Sequence, residues 1–256
     1  MTLARSLRLA VRFSLREMRG GLSGFLIFIA CIALGVAAIG GVNSLARAIS
    51  TGIEAQGRDL LGGDIRFQLI HREADAREAA FIASLGTVAR SANMRSMARL
   101  PDGSDQTLVE VKAVDGLYPL YGTFVAEPAL PLADIFAERG GVYGAAAADM
   151  LLSRLGLEIG DRIRLGDADY ELRARIVSEP DAISDGFGLA PRLMISLDAL
   201  AASGLIQPGS LVEHAYKIRL PEGTSEAGLQ AIRERASAEL PEAGWSIRGR
   251  TGAGLS

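Results

Sequence analysis

Few side chains in this 256-residue chain have a type and spacing that could do chemistry. The two histidines, His71 and His214, stand far apart with no paired ligands beside them. Each is expected at a surface or strand edge rather than in catalysis. Glu179, Asp181 and Asp185 form an acidic cluster that could bind calcium or act as a carboxylate pair. Their spacing matches no EF-hand, however, and Asp with Gly is ordinary loop composition, so a loop is the preferred reading. Tyr118, Tyr121 and Phe124 could form an aromatic ligand surface, although core packing is the commoner use of such residues. Trp245 is expected in the last strand, facing a core. Cys31 is the only cysteine, which excludes an intrachain disulfide and a cysteine metal cluster. There is no GxxxxGKS or GxxxxGKT phosphate loop, no GxSxG elbow and no HExxH pair. No catalytic, cofactor-binding or metal-binding residue is assigned, and the chain is not expected to be an enzyme.

The elements that would position any such residues begin with a very apolar one. The chain is 49% hydrophobic and 22% charged, with a net charge of −3, close to an ordinary globular protein. That balance excludes a disordered polar chain, a polybasic nucleic-acid binder and a disulfide-stapled miniprotein. The mean hydropathy of +0.23 is high for a soluble domain and low for a polytopic membrane protein. Its source is local. No charged residue occurs from Gly20 to Ala46, and Phe25 to Val42 carries only apolar side chains and glycine. About 20 helical residues cross a bilayer core, so residues 22–44 are expected to form a transmembrane helix.

Arg5, Arg8, Arg12, Arg16 and Arg19 precede this run against a single acid, Glu17, whereas 22 basic and 29 acidic residues follow it. The positive-inside rule then keeps residues 1–21 cytoplasmic and exports the remainder. The arginine spacing places them on one face of an amphipathic helix at the inner leaflet, where they either fix topology alone or also touch a cytoplasmic partner. A cleavable signal peptide ending near Ala46-Arg47-Ala48 is the competing reading, but the basic region and apolar run are both long for one. Ala33, Ala37 and Gly41 recur every four residues and suggest a helix-packing face.

Leu45, Ile49, Ile53 and Leu60 carry an apolar stripe onward as a stalk over residues 45–61, stopped by Gly62-Gly63. Patterning then predicts a strand at Asp64–Ile70, a helix at Asp75–Leu85 and strands at Val88–Arg99 and Thr107–Val114. In the last of these, Glu110 and Lys112 alternate with apolar residues, as in a half-buried strand. Pro119–Pro131 is expected to be irregular, and Ala145–Leu155 to be a helix. A hairpin should pair Arg162–Leu165 with Tyr170–Val177, followed by a loop at Glu179–Pro191, a strand at Leu193–Ser196 and a helix from Asp198. Strand His214–Leu220, helix Ser225–Leu240 and strand Trp245–Arg248 complete the order. The fold class is α+β: residues 45–250 form an exported domain whose first and last parts pack together. A β-rich part at about residues 100–200 is inserted between them, and residues 251–256 form a tail.

Several ordered segments carry a family resemblance. They are the basic elbow before the apolar run, the Asp59-Leu60-Leu61-Gly62-Gly63-Asp64 stalk end, and Val111-Lys112-Ala113-Val114-Asp115 leading to Tyr118-Pro119-Leu120-Tyr121-Gly122. Leu155-Gly156-Leu157 before Gly160-Asp161, and Glu179-Pro180-Asp181 before Ala190-Pro191-Arg192, continue the set. Over nearly its whole length the chain resembles the N-terminal portion of FtsX/MacB-type ABC transporter permeases, in the YbbP-like group linked to lysophospholipase and arylesterase operons. The resemblance implies a bacterial inner-membrane protein with its bulk in the periplasm and a MacB-like periplasmic domain. It also implies a separate ATPase subunit, contact with membrane lipids and a homodimer when full length. Cargo would be lipid-like, lipoprotein or hydrophobic, with a periplasmic hydrolase as a further partner, and nucleic acid is not expected. Coupling would be mechanical, without catalytic residues.

The resemblance places a second span where this sequence stops, so an N-terminal fragment or frameshifted product is expected. A stand-alone, membrane-anchored binding or adaptor module is the alternative. The topology is testable: a reporter that folds only outside the cytoplasm, fused after Arg250, should be active, and activity confined to a cytoplasmic reporter would overturn it.

Overall fold

A computed structural model of the chain describes residues 27–37, 41, 57–59, 61–182 and 190–250. The expected amphipathic helix at 1–21, most of the stalk, Asp185 and the 251–256 tail lie outside the described residues. Two units divide the chain, Met1–Ile53 and Glu54–Ser256. In the first, residues 27–37 are helical and Ile27, Phe28, Ile32, Leu34 and Val36 are exposed. Among the described residues no helix is long and apolar enough to cross a membrane.

The second unit is built on one eleven-stranded mixed sheet. Its elements are β1 (Ile65–Ile70), α1 (Ala76–Leu85), β2 (Thr87–Arg99), β3 (Gln106–Val114), β4 (Val125–Glu127), α2 (Leu132–Phe136), β5 (Glu138–Arg139) and β6 (Val142–Ala148). They continue as α3 (Asp149–Leu155), β7 (Arg162–Leu165), β8 (Ala168–Ser178), β9 (Arg192–Ser196), α4 (Leu197–Ala202), β10 (Glu213–Arg219), α5 (Glu226–Glu239) and β11 (Ser246–Gly249). The strand order is β11-β1-β10-β2-β3-β9-β6-β8-β4, with β5 on β6 and β7 bridging β2 and β8. The first strand is thus paired on both sides by the last two. The middle of the chain joins through the parallel β3–β9 pairing, and β6–β8 is parallel as well.

Local chemistry explains the ends of α1. Asp75 accepts from the backbone N–H groups of Arg77 and Glu78, while Glu78 accepts from the Asp75 N–H, each at 2.8 Å. This capping box satisfies donors that would otherwise be orphaned. Glu78 is buried and takes both ends of the Arg72 guanidinium at 2.6 and 2.7 Å. That hydrogen-bonded guanidinium holds the Glu78 carboxyl below its usual range against the opposing effect of burial. Phe81, Ile82 and Leu85 of α1 and Leu229 and Ala236 of α5 cover Ile65, Phe67, Tyr216 and Ile218. Trp245 is half-buried just before β11 and packs edge-on to Phe67, with ring centroids 4.8 Å apart.

Both faces of the middle strands are covered. Leu193 and Ile195 join a cluster with α3 and α4, whereas Met194 joins another with Ile135 and Phe136 of α2. Ala145 and Ala147 divide from Ala146 in the same way. The expected helix over Ala145–Leu155 is therefore corrected: Val142–Ala148 is a central strand, and helix begins only at Asp149. Alanine favours helix in isolation. Here small side chains are required because α2 lies against the strand, and a Cβ on Gly144 would stand 1.8 Å from the Ile135 carbonyl oxygen. The stretch expected to be irregular, Pro119–Pro131, contains the edge strand β4, and α2 and β5 follow it. Gly144→Ala is expected to cost about 1–3 kcal/mol through overpacking. Denaturant unfolding measures this, and an unchanged midpoint would overturn the packing account.

Candidate functional site: a buried charge network at the root of the sheet

Only two of the 27 basic residues are lysines, Lys112 and Lys217. Both are buried, on β3 and β10, and these strands flank β2. Their ammonium groups meet on one carboxylate. Lys112 Nζ lies 2.8 Å from Asp181 Oδ1, Lys217 Nζ pairs with Asp181 Oδ2, and the Tyr118 hydroxyl donates to Oδ1 at 2.7 Å. Asp181 is itself fully buried. Lys112 also pairs with Glu179 and stands 4.6 Å from the centre of the Tyr118 ring. Glu179 continues the chain of charges to Arg192 at 3.3 Å, and Arg192 lies 3.6 Å from Glu110. Directly opposite Lys217 in the β1–β10 register stands Arg66, also buried and paired with Glu213. A lysine suits the convergence on Asp181 because its charge is compact and its stem flexible, whereas a guanidinium needs a planar fork of acceptors. Burial pushes the Tyr118 hydroxyl well above its ordinary range, despite the opposing charge of Lys112.

A second carboxylate, Asp64, stands immediately before β1. Its Oδ1 lies 2.8 Å from Arg58 Nε and 3.0 Å from Arg250 Nη1. Its Oδ2 accepts from the Tyr121 hydroxyl at 2.7 Å and the Leu220 N–H at 3.0 Å. The Asp64 backbone carbonyl accepts from the Arg250 N–H at 3.0 Å, and Arg250 Nη2 donates to the Thr224 carbonyl. One side chain therefore gathers Arg58, the Tyr121 hydroxyl, the chain just after β10 at Leu220 and Arg250 just after β11. Burial raises the Asp64 carboxyl, but the Tyr121, Leu220, Arg250 and Arg58 contacts outweigh it and hold the group below its usual range. Burial and the bond to Asp64 push the Tyr121 hydroxyl up to about 12. Two guanidinium groups, Arg58 and Arg219, lie 5.8 and 4.9 Å from its ring centre.

Glycine permits these close approaches. A Cβ on Gly57 would stand 2.2 Å from the Arg250 carbonyl oxygen. Gly62 has a φ of +71°, and a Cβ there would stand 3.0 Å from Lys217 Cδ and 3.1 Å from Asp181 Oδ2. Gly62 thus packs directly on the Asp181–Lys217 pair.

The structure redistributes the residues singled out in the sequence. Glu179 and Asp181 lie in the turn after β8, as the loop reading expected, but their side chains are buried against Lys112 and Lys217. Tyr118 and Tyr121 deliver their hydroxyls to this network, and the Tyr118 ring also lines a cleft of about 500 Å³ with Val114, Leu132, Phe136 and Tyr143. Phe124 packs at the edge of the α2 cluster. His71 is exposed, whereas His214 lies buried in an interior strand rather than at an edge. Burial lowers the His214 pKa, opposed by Glu73. Cys31 is exposed on the 27–37 helix. Among the described residues no group of His, Cys, Asp and Glu could hold a metal ion. No motif in the sequence marks Asp64, Arg58, Arg192 or Arg250, and the signal for the two lysines is their scarcity, each set mid-strand between apolar neighbours.

Because the Asp64 pKa is depressed on folding, its contribution is full above the ordinary carboxylate range and is lost as pH falls through the folded value. Asp64→Asn is expected to cost about 3–5 kcal/mol at pH 7. The gap should narrow below about pH 4. Denaturant unfolding of both proteins at the two pH values tests this, and an equal gap at each would refute it.

Residues 25–235 match the family model of the MacB-like periplasmic core domain. An uncharacterized ABC transporter permease of Escherichia coli K12, YbbP, is 28% identical over 236 residues, covering 91% of this chain. The chain spans 27% of that relative's length. The periplasmic region of MacB from Actinobacillus actinomycetemcomitans aligns with a TM-score of 0.48 at 8% identity, covering 75% of this chain and 92% of that one. The extracellular domain of the noncanonic ABC-type transporter YknZ from Gram-positive bacteria aligns at 0.44 and 8%, covering 72% and 100%. The chain belongs to the MacB-like periplasmic core domain family.

Proposed function

We propose that this chain is the N-terminal part of an ABC transporter permease of the FtsX/MacB type, and that its sheet receives motion from the membrane at its root. The observation that carries this reading is the Asp64 node. A single buried carboxylate holds Arg58 of the stalk end and Arg250 beyond β11, so a shift of the stalk is delivered to the sheet rather than absorbed by a loose joint. The tight approach of Gly57 to the Arg250 carbonyl supports the same reading, since the two chain segments can hardly move independently.

In this proposal residues 1–21 lie on the cytoplasmic leaflet and residues 22–44 cross the inner membrane. The exposed apolar side chains of residues 27–37 support a lipid surround. Residues 45–61 form the stalk, and residues 64–250 work in the periplasm. A separate ATPase subunit supplies the energy, the full-length permease pairs as a homodimer, and the cargo is lipid-like, lipoprotein or hydrophobic. The chain's own residues transmit force and orient the domain, and no bond is made or broken by them.

The test uses the full-length permease with its ATPase in lipid nanodiscs. Asp64→Asn should lower cargo release by about tenfold while ATP hydrolysis stays within about twofold, the range of a moderate coupling energy. Glycine pairs placed at Ile49 and Ile53 should uncouple the two activities without touching the sheet. Unchanged coupling in both variants would defeat the proposal.

A further inference from the structure

The Asp181 contacts extend beyond the root. Strands neighbouring β2 on its two sides lie about 9–10 Å apart, yet Lys217 and Lys112 reach one carboxylate across that distance. On β2, Ala89 stands opposite Lys217 and Asn93 opposite Lys112, so the two lysines meet Asp181 by side chains that pass over this strand. On one side Asp181 abuts the stalk-end Gly62. On the other, Lys112, Glu179, Arg192 and Glu110 form a continuous run of charges reaching the start of β9, and Tyr118 carries the contact to the wall of the cleft.

We infer that Asp181 is a positioning residue that couples the stalk end to the far half of the sheet, so that a displacement at Gly62 is felt at β3, β9 and the Tyr118 cleft. This rests on the relay proposed above and gives it a route. A shared counter-charge drives the coupling. If Asp181 withdraws from either lysine, that ammonium is left buried without one of its counter-charges, and the other contacts must rearrange with it. The two halves therefore change together.

Amide hydrogen exchange on the full chain reads this coupling without any ATPase, so its failure is separate from a failure of transport. The reporters are the Gly62 and Gly63 amides, which donate to the Asp59 and Arg58 carbonyls at 3.3 and 3.1 Å. Lys112→Met changes a residue of the far strand. It should speed exchange at these amides by about fivefold or more, the lower range of allosteric couplings, while α1 amides keep their protection. Tyr118→Phe removes one hydroxyl and should act in the same direction; it decides the matter if Lys112→Met fails to fold. Asp181→Asn should reproduce the effect, and Asp181→Glu should restore protection to within about twofold of the parent. Unchanged Gly62 and Gly63 exchange would overturn the inference. So would an equal acceleration in α1, which would mark general loosening.

Discussion

Two lysines share one aspartate under cover, and the polar side of the sheet is organised by the need to satisfy that sharing. Removing a charge from water costs several kcal/mol even after relaxation, and only close, hydrogen-bonded partners return it. Lys112 and Lys217 cannot reach solvent, so the segment carrying Glu179 and Asp181 must lie across β2 to meet them. That requirement places the Tyr118 hydroxyl and leaves no room for a side chain at Gly62. A well-packed apolar substitute could be as stable as this cluster. What ionic pairing adds is directionality, since a carboxylate has few orientations that serve two ammonium groups and a hydroxyl together.

Asp64 works differently. It accepts two guanidinium groups, one hydroxyl and one backbone amide, and its partners come from four separate places in the chain. Its low pKa expresses how fully the anion is solvated by protein groups. Gly62 precedes Asp64 closely in the chain and packs against the Asp181 node, so the two nodes are adjacent at the start of β1. At this node the chain segments are joined by charge pairs at close range rather than by apolar area.

Much of the local structure was legible. The helix expected over Asp75–Leu85 is present as Ala76–Leu85, with Asp75 as its N-cap. The Gly166-Asp167 turn between alternating segments forms the hairpin, with Leu165 opposite Ala168. The Gly-Ala run at 144–148 misled, because helix propensity is a property of the isolated chain whereas this segment sits between two strands and beneath α2. Lys112 misled in a related way. Alternation of apolar and charged residues implies one wet face, but in this sheet the second face is covered as well, and charges there must find partners rather than water.

Composition and order alone determined the apolar segment from Phe25 to Val42, the charge asymmetry about it, the mixed α and β content and the absence of a GxSxG, HExxH or phosphate-loop pattern. These follow from residue type and from periods of two or 3.6, which are local properties. Only the tertiary structure decided that β1 lies between β10 and β11, that an acidic stretch is buried rather than solvated, and that two lysines 105 positions apart share Asp181. The physical reason is that a charge's partner is chosen by distance in space and by exclusion of water, and neither is encoded in the neighbours along the chain.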